Sequence, residues 1–475
     1  MKGFSNELRL ILRSRLSTSA LLLLLVLAAL AVWSGLDQVA HQRQTIDRLA
    51  VLHQQDVAAV ADRYADSADA GSPAYYTFYN TWDPPSDTAF MALGLRDVAP
   101  YVLRIRALGL QAQLYDGETF NPELALPGRF DFAFVLIYLA PLFAIALLHD
   151  LVSAERQSGR LRLLLSMPGG SRLWRRRAAL RYGLLFACLA LPLLAGALIS
   201  GTAPLAIAIA LVISASYLAF WVGLSLLIAA RGWSSVANAN ATVLMGSWAL
   251  LTLLLPTLAN IVLSRAIPVH QGVDLMLAQR EAVHGAWEVP REETMRRFFE
   301  SHPEWRDTAP LPDGFHWKWY FAFHQVGDES VAEQVRAYRA GLEARQQWTE
   351  RLGWLLPGVG AQAVIHRVAD TDLPAQLAYR DRIEAFHREM RDFYYGYLFT
   401  DRAFGSKGFA SQPTFTPRSR EPVSFGYQEA ATLLLSWLVF LFGIGRLGAL
   451  KPNGKARPAG RAGAALQGAT ADAAL

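Results

Sequence analysis

The sequence predicts a polytopic α-helical membrane protein with six transmembrane helices and an α-rich extracytoplasmic domain built from two inserts. Composition and the distribution of apolar residues lead to this fold class. The chain of 475 residues is 53% hydrophobic with a mean hydropathy of +0.20, which is high for a soluble protein but low for one lying wholly in a membrane. The apolar residues are concentrated in six long stretches, and charged segments separate them.

Each of the six apolar stretches is long enough to cross a hydrocarbon core of about 30 Å at roughly 1.5 Å per residue. Prolines inside some of them are tolerated, because neighbouring helices in a membrane can satisfy the freed carbonyl groups. The predicted transmembrane helices are residues 16–36, 132–148, 182–199, 205–229, 239–263 and 430–447.

A partly amphipathic segment, residues 1–15, precedes the first stretch and predicts a cytoplasmic interfacial helix. A cleaved signal peptide is the alternative, since a basic segment before an apolar core is typical of both. The apolar stretch is long for a signal peptide, and no convincing small-residue cleavage site follows it. We therefore expect the first helix to be retained.

The distribution of arginine predicts the topology. Residues 149–181, between the second and third stretches, carry many arginines against only Asp150 and Glu155. A short basic loop between membrane spans is typical of the cytoplasmic side. Both termini are expected on that side too, with residues 448–475 as a disordered tail. The arginines expected to mark the topology and to contact anionic lipid headgroups are Arg172, Arg175, Arg176 and Arg177.

Two segments of mixed charge, residues 37–129 and 265–429, are predicted to lie on the extracytoplasmic side. In the first, residue spacing predicts a helix over 41–64 and a partial strand over 102–114. Amphipathic helices are predicted in the second, and such helices need partner faces, so we expect the two segments to form one α-rich domain. The helices predicted in the second segment are 329–356 and 373–395.

No motif for catalysis or nucleotide binding occurs in the chain. It has no G-x-x-x-x-G-K-[ST] sequence, no H-E-x-x-H, no C-x-x-C and no G-x-S-x-G nucleophile elbow. The histidines of the second segment have spacings that match no trusted metal site. The aromatic stretch 316–323 could line a ligand groove, but a domain core or a belt at the membrane interface is more typical. We expect no cofactor and no enzymatic activity in this chain.

The net charge of +5 does not indicate nucleic-acid binding, because the basic excess flanks the apolar stretches. None of the predicted spans has a clear charged residue near its centre, which argues against a proton- or ion-coupled carrier. The single cysteine, Cys188, excludes an intramolecular disulfide.

The basic loop carries a sequence motif of the form E-x-x-x-G-x-L-x-x-L-L-x-x-P. Its residues are Glu155, Gly159, Leu161, Leu164, Leu165 and Pro168. The motif resembles the cytoplasmic loop of ABC-2 type permeases, the membrane subunits of ATP-binding-cassette exporters. The resemblance implies that these residues couple the chain to a cytoplasmic ABC ATPase subunit, which binds the ATP. It also implies a homodimer or a pairing with a second similar permease.

Three features of the motif suit a coupling role. Gly159 permits close approach of a partner backbone. The leucines after it offer an apolar ridge that can fill a groove on a partner. Glu155 is expected near the start of a short helix, where the helix dipole favours a carboxylate that can pair with a basic residue of the partner.

The resemblance extends over nearly the whole chain except the C-terminal tail. Residues 128–134, 354–357 and 387–399 resemble a subfamily of these permeases whose large extracytoplasmic insert is a domain of unknown function. Related permeases occur in gliding-motility and copper-enzyme maturation systems, so the substrate stays open. The implied location is a bacterial inner (plasma) membrane. The alternative is a membrane-anchored scaffold or sensor whose outer domain binds a partner without transport.

Overall fold

The computed structural model describes residues 2–64, 66, 69–115, 129–167, 170–230, 237–269, 272–420 and 426–450. The described chain is mostly helical, with a small antiparallel sheet. Most of the predicted disordered tail, together with Pro168 of the loop motif, lies outside the described residues.

The elements follow one another in chain order. The helices are α1 Lys2–Arg13, α2 Arg15–Tyr64, α3 Gly71–Tyr76, α4 Leu110–Tyr115, α5 Phe132–Phe134, α6 Ala140–Leu148, α7 Ser153–Gln157, α8 Leu161–Ser166, α9 Gly170–Ser200, α10 Pro204–Ala230, α11 Ala237–Trp248, α12 Leu255–Ala266, α13 Gly272–Gly285, α14 Arg291–Ser301, α15 Trp317–Ser330, α16 Ala332–Leu352, α17 Pro357–Ala369, α18 Leu373–Leu398, α19 Gly405–Ala410 and α20 Tyr427–Gly448. The strands are β1 Tyr79–Trp82 and β2 Val102–Ile105. The π-helical segments are Val135–Leu139 and Ala249–Leu254, and the 3₁₀ turns are Ala89–Met91, Gly94–Asp97 and Pro303–Trp305.

Six helices of the described chain are long and apolar enough to cross a membrane. They confirm that the chain is a helical multi-pass membrane protein, and each overlaps one of the predicted stretches. We number them spans 1 to 6. Their bounds are Arg15–Tyr64, Phe132–Gln157, Arg172–Ser200, Pro204–Ala230, Ala239–Ala266 and Ala430–Gly448.

Span 1 is longer than a membrane requires. Helix α2 runs without interruption for 50 residues, which is about 75 Å at 1.5 Å per residue. The sequence predicted a membrane helix ending at residue 36 and a separate helix over 41–64. No glycine or proline occurs between Leu36 and Tyr64 to end the first helix. Helix α2 therefore continues without a break from the membrane bundle to the two inserts.

Span 4, helix α10, is the centre of the bundle. It buries 67% of its most apolar window, whereas span 5 buries 11%. Helices α10 and α20 approach closely at Gly223 and Gly443, where an added Cβ would lie 2.5 Å from a backbone atom of the other helix. Small residues permit such contacts in a membrane, where van der Waals packing drives helix association.

The two inserts pack as one unit, which we call the insert domain (residues 69–115 and 272–420). A single hydrophobic core contains Tyr79 of the first insert and Phe386 and Tyr394 of the second. The hydroxyl groups of Tyr79 and Tyr394 lie 2.7 Å apart and share a hydrogen bond. Neither insert therefore completes its core alone.

Helix α18 supplies much of this core. Its predicted apolar stripe contains Tyr379, Ile383, Phe386 and Met390, each at most 1% exposed. Phe393, the last member of the stripe, is half-buried. Helical spacing in the sequence therefore indicated the buried face correctly.

The partial strand expected over 102–114 is shorter in the structure. Only Val102–Ile105 is a strand, paired antiparallel with β1. Residues Leu110–Tyr115 form helix α4 instead. The Asp328 carboxylate accepts a hydrogen bond from the Leu110 amide at 2.8 Å and so satisfies a free N–H at the helix start. This partner lies far away in the sequence, so local pattern could not indicate the helix.

Two parts of the insert domain enter the core of the membrane bundle. Helix α17 buries Val364 and Ile365 there. The 3₁₀ turn that contains Phe90 packs against Gly35 of span 1 and Gly196 of span 3, and an added Cβ at either glycine would overlap Phe90. The insert domain is thereby held directly by the membrane helices.

A buried polar network crosses the insert domain. Arg391 pairs with Asp328 at 2.8 Å and donates to the Leu108 carbonyl at 2.9 Å. The Nε2 atom of His387 lies 2.8 Å from the same carbonyl and donates to it. The network joins the first insert, through Leu108, to helices α15 and α18 of the second.

Two buried histidines in this region are held neutral. Burial, with the charge of Arg391, lowers the pKa of His324 to about 3 and holds the pKa of His387 well below its ordinary value. In the unfolded chain both protonate near pH 6.5. Their contribution to the free energy of unfolding is therefore complete above about pH 6.5 and is lost as the pH falls below it.

We predict that the His324→Gln substitution reduces the acid sensitivity of folding. A glutamine can still accept the hydrogen bond that the Gly109 amide donates to His324 at 3.2 Å, but it does not titrate. Thermal unfolding of the full chain is measured from about pH 7.5 to about pH 5. As the pH is lowered, the melting temperature of the wild type should fall more steeply than that of the variant. Equal slopes of melting temperature against pH for the wild type and the variant would contradict the prediction. The control is the same substitution at an exposed histidine, His284→Gln.

Candidate functional site

The loop between spans 2 and 3 forms two short helices rather than one. Helix α7 ends at Gln157, and α8 begins at Leu161. Gly159 lies between them with a φ of +72°, in the left-handed region that favours glycine. An added Cβ at Gly159 would meet no atom within 4 Å. Within this chain the glycine is therefore required by the backbone conformation, and the close approach of a partner backbone stays a prediction.

Glu155 is paired within the chain, and its expected pairing with a basic residue of a partner stays a prediction. It lies in the first turn of α7, with its side chain 15% exposed. Its carboxylate lies 3.0 Å from Arg177 of α9 and 3.1 Å from Arg160. Arg177 also pairs with Glu7 of α1 at 3.0 Å. Three separate elements, α1, α7 and α9, therefore meet at one guanidinium group.

The leucines of the motif face inward. Leu161, Leu164 and Leu165 pack against the hydrophobic core of the bundle. The residues that α8 leaves exposed are Leu163, at 60%, and Met167 just after the helix, at 49%. The apolar ridge predicted for a partner therefore lies partly against the bundle, and its contact with a partner stays a prediction.

The arginines expected at the membrane surface divide into two groups. Arg172, Arg175 and Arg176 are exposed. Arg177 is 15% exposed and lies 5.3 Å from the ring of buried Trp174. Arg177 therefore differs from the other three in pairing with two carboxylates, Glu7 and Glu155, and its expected role at the membrane surface stays a prediction.

Sequence reasoning missed Glu7 as part of this site. Helix α1 was predicted as an interfacial helix, and its Ile11 is buried against the bundle. Glu7 is the one acidic residue of that helix. An isolated carboxylate in a basic amphipathic helix was the available signal, but its partner Arg177 lies 170 residues away.

Other expected sites can be placed as well. Among the residues that the structure describes, no group of three or more His, Cys, Asp or Glu side chains could hold a metal ion. The aromatic stretch 316–323 lies at the start of α15, with Trp319, Phe321 and Phe323 in the core. Its main role is therefore domain packing.

Comparison with known proteins reaches only part of the chain. Residues 274–418 match the model of a family described as a domain of unknown function (DUF3526). The match covers less than a third of the 475 residues and lies within the second insert. No curated protein and no solved structure matches the chain.

We predict that Gly159→Ala loosens the loop. A residue with a Cβ at this positive φ raises the free energy of the loop conformation by about 1–2 kcal/mol. The contact between α7 and α8 should therefore open more readily. Trypsin should then cleave after Arg160 and Arg162 faster than in the wild type. The matched control is Gly183→Ala in helix α9, where the added Cβ also meets nothing within 4 Å. A Gly159→Ala loop as resistant as that of the control would show that the conformation is not required.

Proposed function

We propose that this chain is the membrane-spanning permease subunit of an ATP-binding-cassette exporter of the ABC-2 type. It would move an unidentified substrate across the plasma membrane, using ATP that a separate ATPase subunit hydrolyses. The main support is the loop between spans 2 and 3. It resembles the coupling loop of these permeases, it has a defined conformation, and it presents exposed Leu163 and Met167.

The proposed topology follows the arginine distribution. The loop and both termini lie in the cytoplasm, and the insert domain lies on the extracytoplasmic side of a bacterial inner membrane. Exposed Arg172, Arg175 and Arg176 at the start of span 3 suit contact with anionic lipid headgroups.

The contacts of the loop suggest how motion would enter the membrane. A partner seated on Leu163 and Met167 would push α8. The inward leucines of α8 pack on the bundle core, so displacement of α8 would reach the spans directly. The pairing of Glu155 with Arg177 would carry the same displacement to α9, and Glu7 would carry it to α1.

The proposed assembly contains two membrane subunits and two ATPase subunits. The second membrane subunit is another copy of this chain or a similar permease. Span 5 buries only 11% of its apolar window within one chain, so lipid or the second subunit would cover it. ATP is held by the ATPase, and this chain contributes no cofactor.

We predict that Leu163→Asp weakens binding of a P-loop ATPase encoded beside this chain. Burying a leucine at an interface contributes about 1.5–3 kcal/mol to the free energy of binding. A change of about 1.4 kcal/mol in that free energy changes the affinity about tenfold. Co-purification and permease-dependent ATP hydrolysis should therefore fall about tenfold or more, while thermal stability is kept. The matched control is Leu277→Asp on α13, a leucine 55% exposed in the insert domain. If wild-type chain binds no such ATPase, the scaffold alternative gains.

We predict opposite accessibility for the loop and the insert domain. In a Cys188→Ser background, which removes the single cysteine, a membrane-impermeant maleimide should label Ser330→Cys on intact cells. It should label Met167→Cys only after permeabilisation. Both positions are exposed in the folded chain. Equal labelling of the two on intact cells would overturn the proposed topology.

A further inference from the structure

A cavity of about 150 Å³ lies where the insert domain meets span 2. Its walls come from three parts of the chain. They are the 3₁₀ turn at Gly94, the segment from Arg129 to Tyr138 that leads into span 2, and helix α17 with Gln362 and His366. Gly94 has a φ of +49°, and an added Cβ would lie 2.6 Å from the Thr371 carbonyl oxygen, so this wall is closely fitted.

Asp131 is the acidic group of the cavity. Its side chain caps span 2, since one carboxylate oxygen accepts from the Phe134 amide at 2.9 Å. The other oxygen accepts from the Leu93 amide at 2.9 Å. Asp131 is 6% exposed, and within the described residues no lysine, arginine or histidine forms a salt bridge with it. Burial raises its pKa to about 6, so most of the carboxyl is ionised at neutral pH.

The basic groups nearby do not neutralise this carboxylate. Arg129 also lines the cavity, but its guanidinium group forms an ion pair with Asp97 and donates to the Gln38 side chain at 2.9 Å. Burial lowers the pKa of His366 to about 4, so its ring is neutral and can accept a hydrogen bond at neutral pH. The Asp131 carboxylate therefore lines the cavity without a salt bridge to a basic side chain of the described residues, while the charge of Arg129 is paired with Asp97.

The remaining walls suit a small organic cation. The rings of Phe134 and Tyr138 have centroids 5.3 Å apart and both line the cavity. Aromatic faces attract cations through their quadrupole. Gln362 adds an amide oxygen that can accept from an ammonium group. A cavity needs about 10–15 Å³ to hold a water molecule, so this one admits a group of several heavy atoms.

We propose that this cavity binds the ammonium group of an amine ligand, held by the Asp131 carboxylate, the Gln362 amide oxygen and the Phe134 and Tyr138 rings. The amine comes either from the ethanolamine headgroup of a membrane lipid or from a small soluble amine. The position at the end of span 2 gives access to the headgroup layer. Ammonium binding here does not require the chain to be a transporter, and its failure would leave the exporter proposal unchanged.

The test uses the full chain in nanodiscs of phosphatidylglycerol, which carries no amine. In one arm, a small fraction of phosphatidylethanolamine is added, and the lipid retained by the protein is quantified by native mass spectrometry. In the other arm, ethanolamine is added to discs without phosphatidylethanolamine, and the melting temperature is followed. Retention in the first arm identifies a lipid source, and a rise in melting temperature in the second identifies a soluble amine. Either result supports the site.

The variants make the test specific. Asp131→Asn keeps a good helix-capping residue but removes the charge, and it should reduce amine binding at least about tenfold, the change that 1.4 kcal/mol produces. Phe134→Leu keeps Asp131 and should weaken binding through loss of the aromatic face. Asp381→Asn is the matched control and should bind as the wild type does, because Asp381 is an exposed carboxylate of α18 that pairs with Arg339 and does not line the cavity. Absence of binding in both arms for the wild type, or equal binding by folded Asp131→Asn, would overturn the proposal.

Discussion

The anchoring of the insert domain in the membrane bundle is the constraint on which the rest of the structure depends. Phe90 is 1% exposed and fills the space left by Gly35 and Gly196. Beside it, the hydroxyl groups of Ser86 and Thr88 donate to the last carbonyls of α17 at 2.5 and 2.6 Å. Helix ends need such partners, because their final carbonyls lack intrahelical ones. The two anchors come from different inserts, so each insert holds the other in place.

A polar network supports this junction. Arg96 binds Asp83 at 2.5 Å and Gln42 of α2 at 3.1 Å. Arg418, in the segment that precedes span 6, pairs with Asp370 at the end of α17 at 2.6 Å. Removing one member of a buried ion pair costs about 3–5 kcal/mol, since it leaves an uncompensated charge. These contacts join α2, α17 and the approach to span 6 at the base of the insert domain, and α17 also lines the cavity at Asp131.

The loop between spans 2 and 3 combines a defined conformation with an exposed apolar surface. The side chains of Glu7, Glu155 and Arg177 are each 13–15% exposed. Ion pairs at a fully exposed surface contribute only about 0–1 kcal/mol to the free energy of unfolding. This cluster is partly buried and its members share partners, so it holds α1, α7 and α9 in one arrangement. Leu163 and Met167 stay exposed on the element that the cluster positions. A preorganised surface loses less entropy on docking, which suits the coupling role that we propose.

The sequence by itself determined the membrane helices, the position of the loop and the buried face of α18. A bilayer offers no water to the backbone, so an apolar stretch of about 20 residues must become a helix. The helical spacing of Tyr379, Ile383 and Phe386 likewise depends on local periodicity alone. The arginine distribution predicts the sidedness from the sequence in the same way.

Only the tertiary structure decided which side chains the candidate sites present. The inward direction of the motif leucines follows from the break at Gly159, and the partner of Glu155 lies on another helix. The start of α4 depends on Asp328, which lies more than 200 residues away along the chain. The cavity at Asp131 needs α17 and the first insert to meet span 2. Each of these features is a contact between residues distant in sequence, and local pattern carries no information about such contacts.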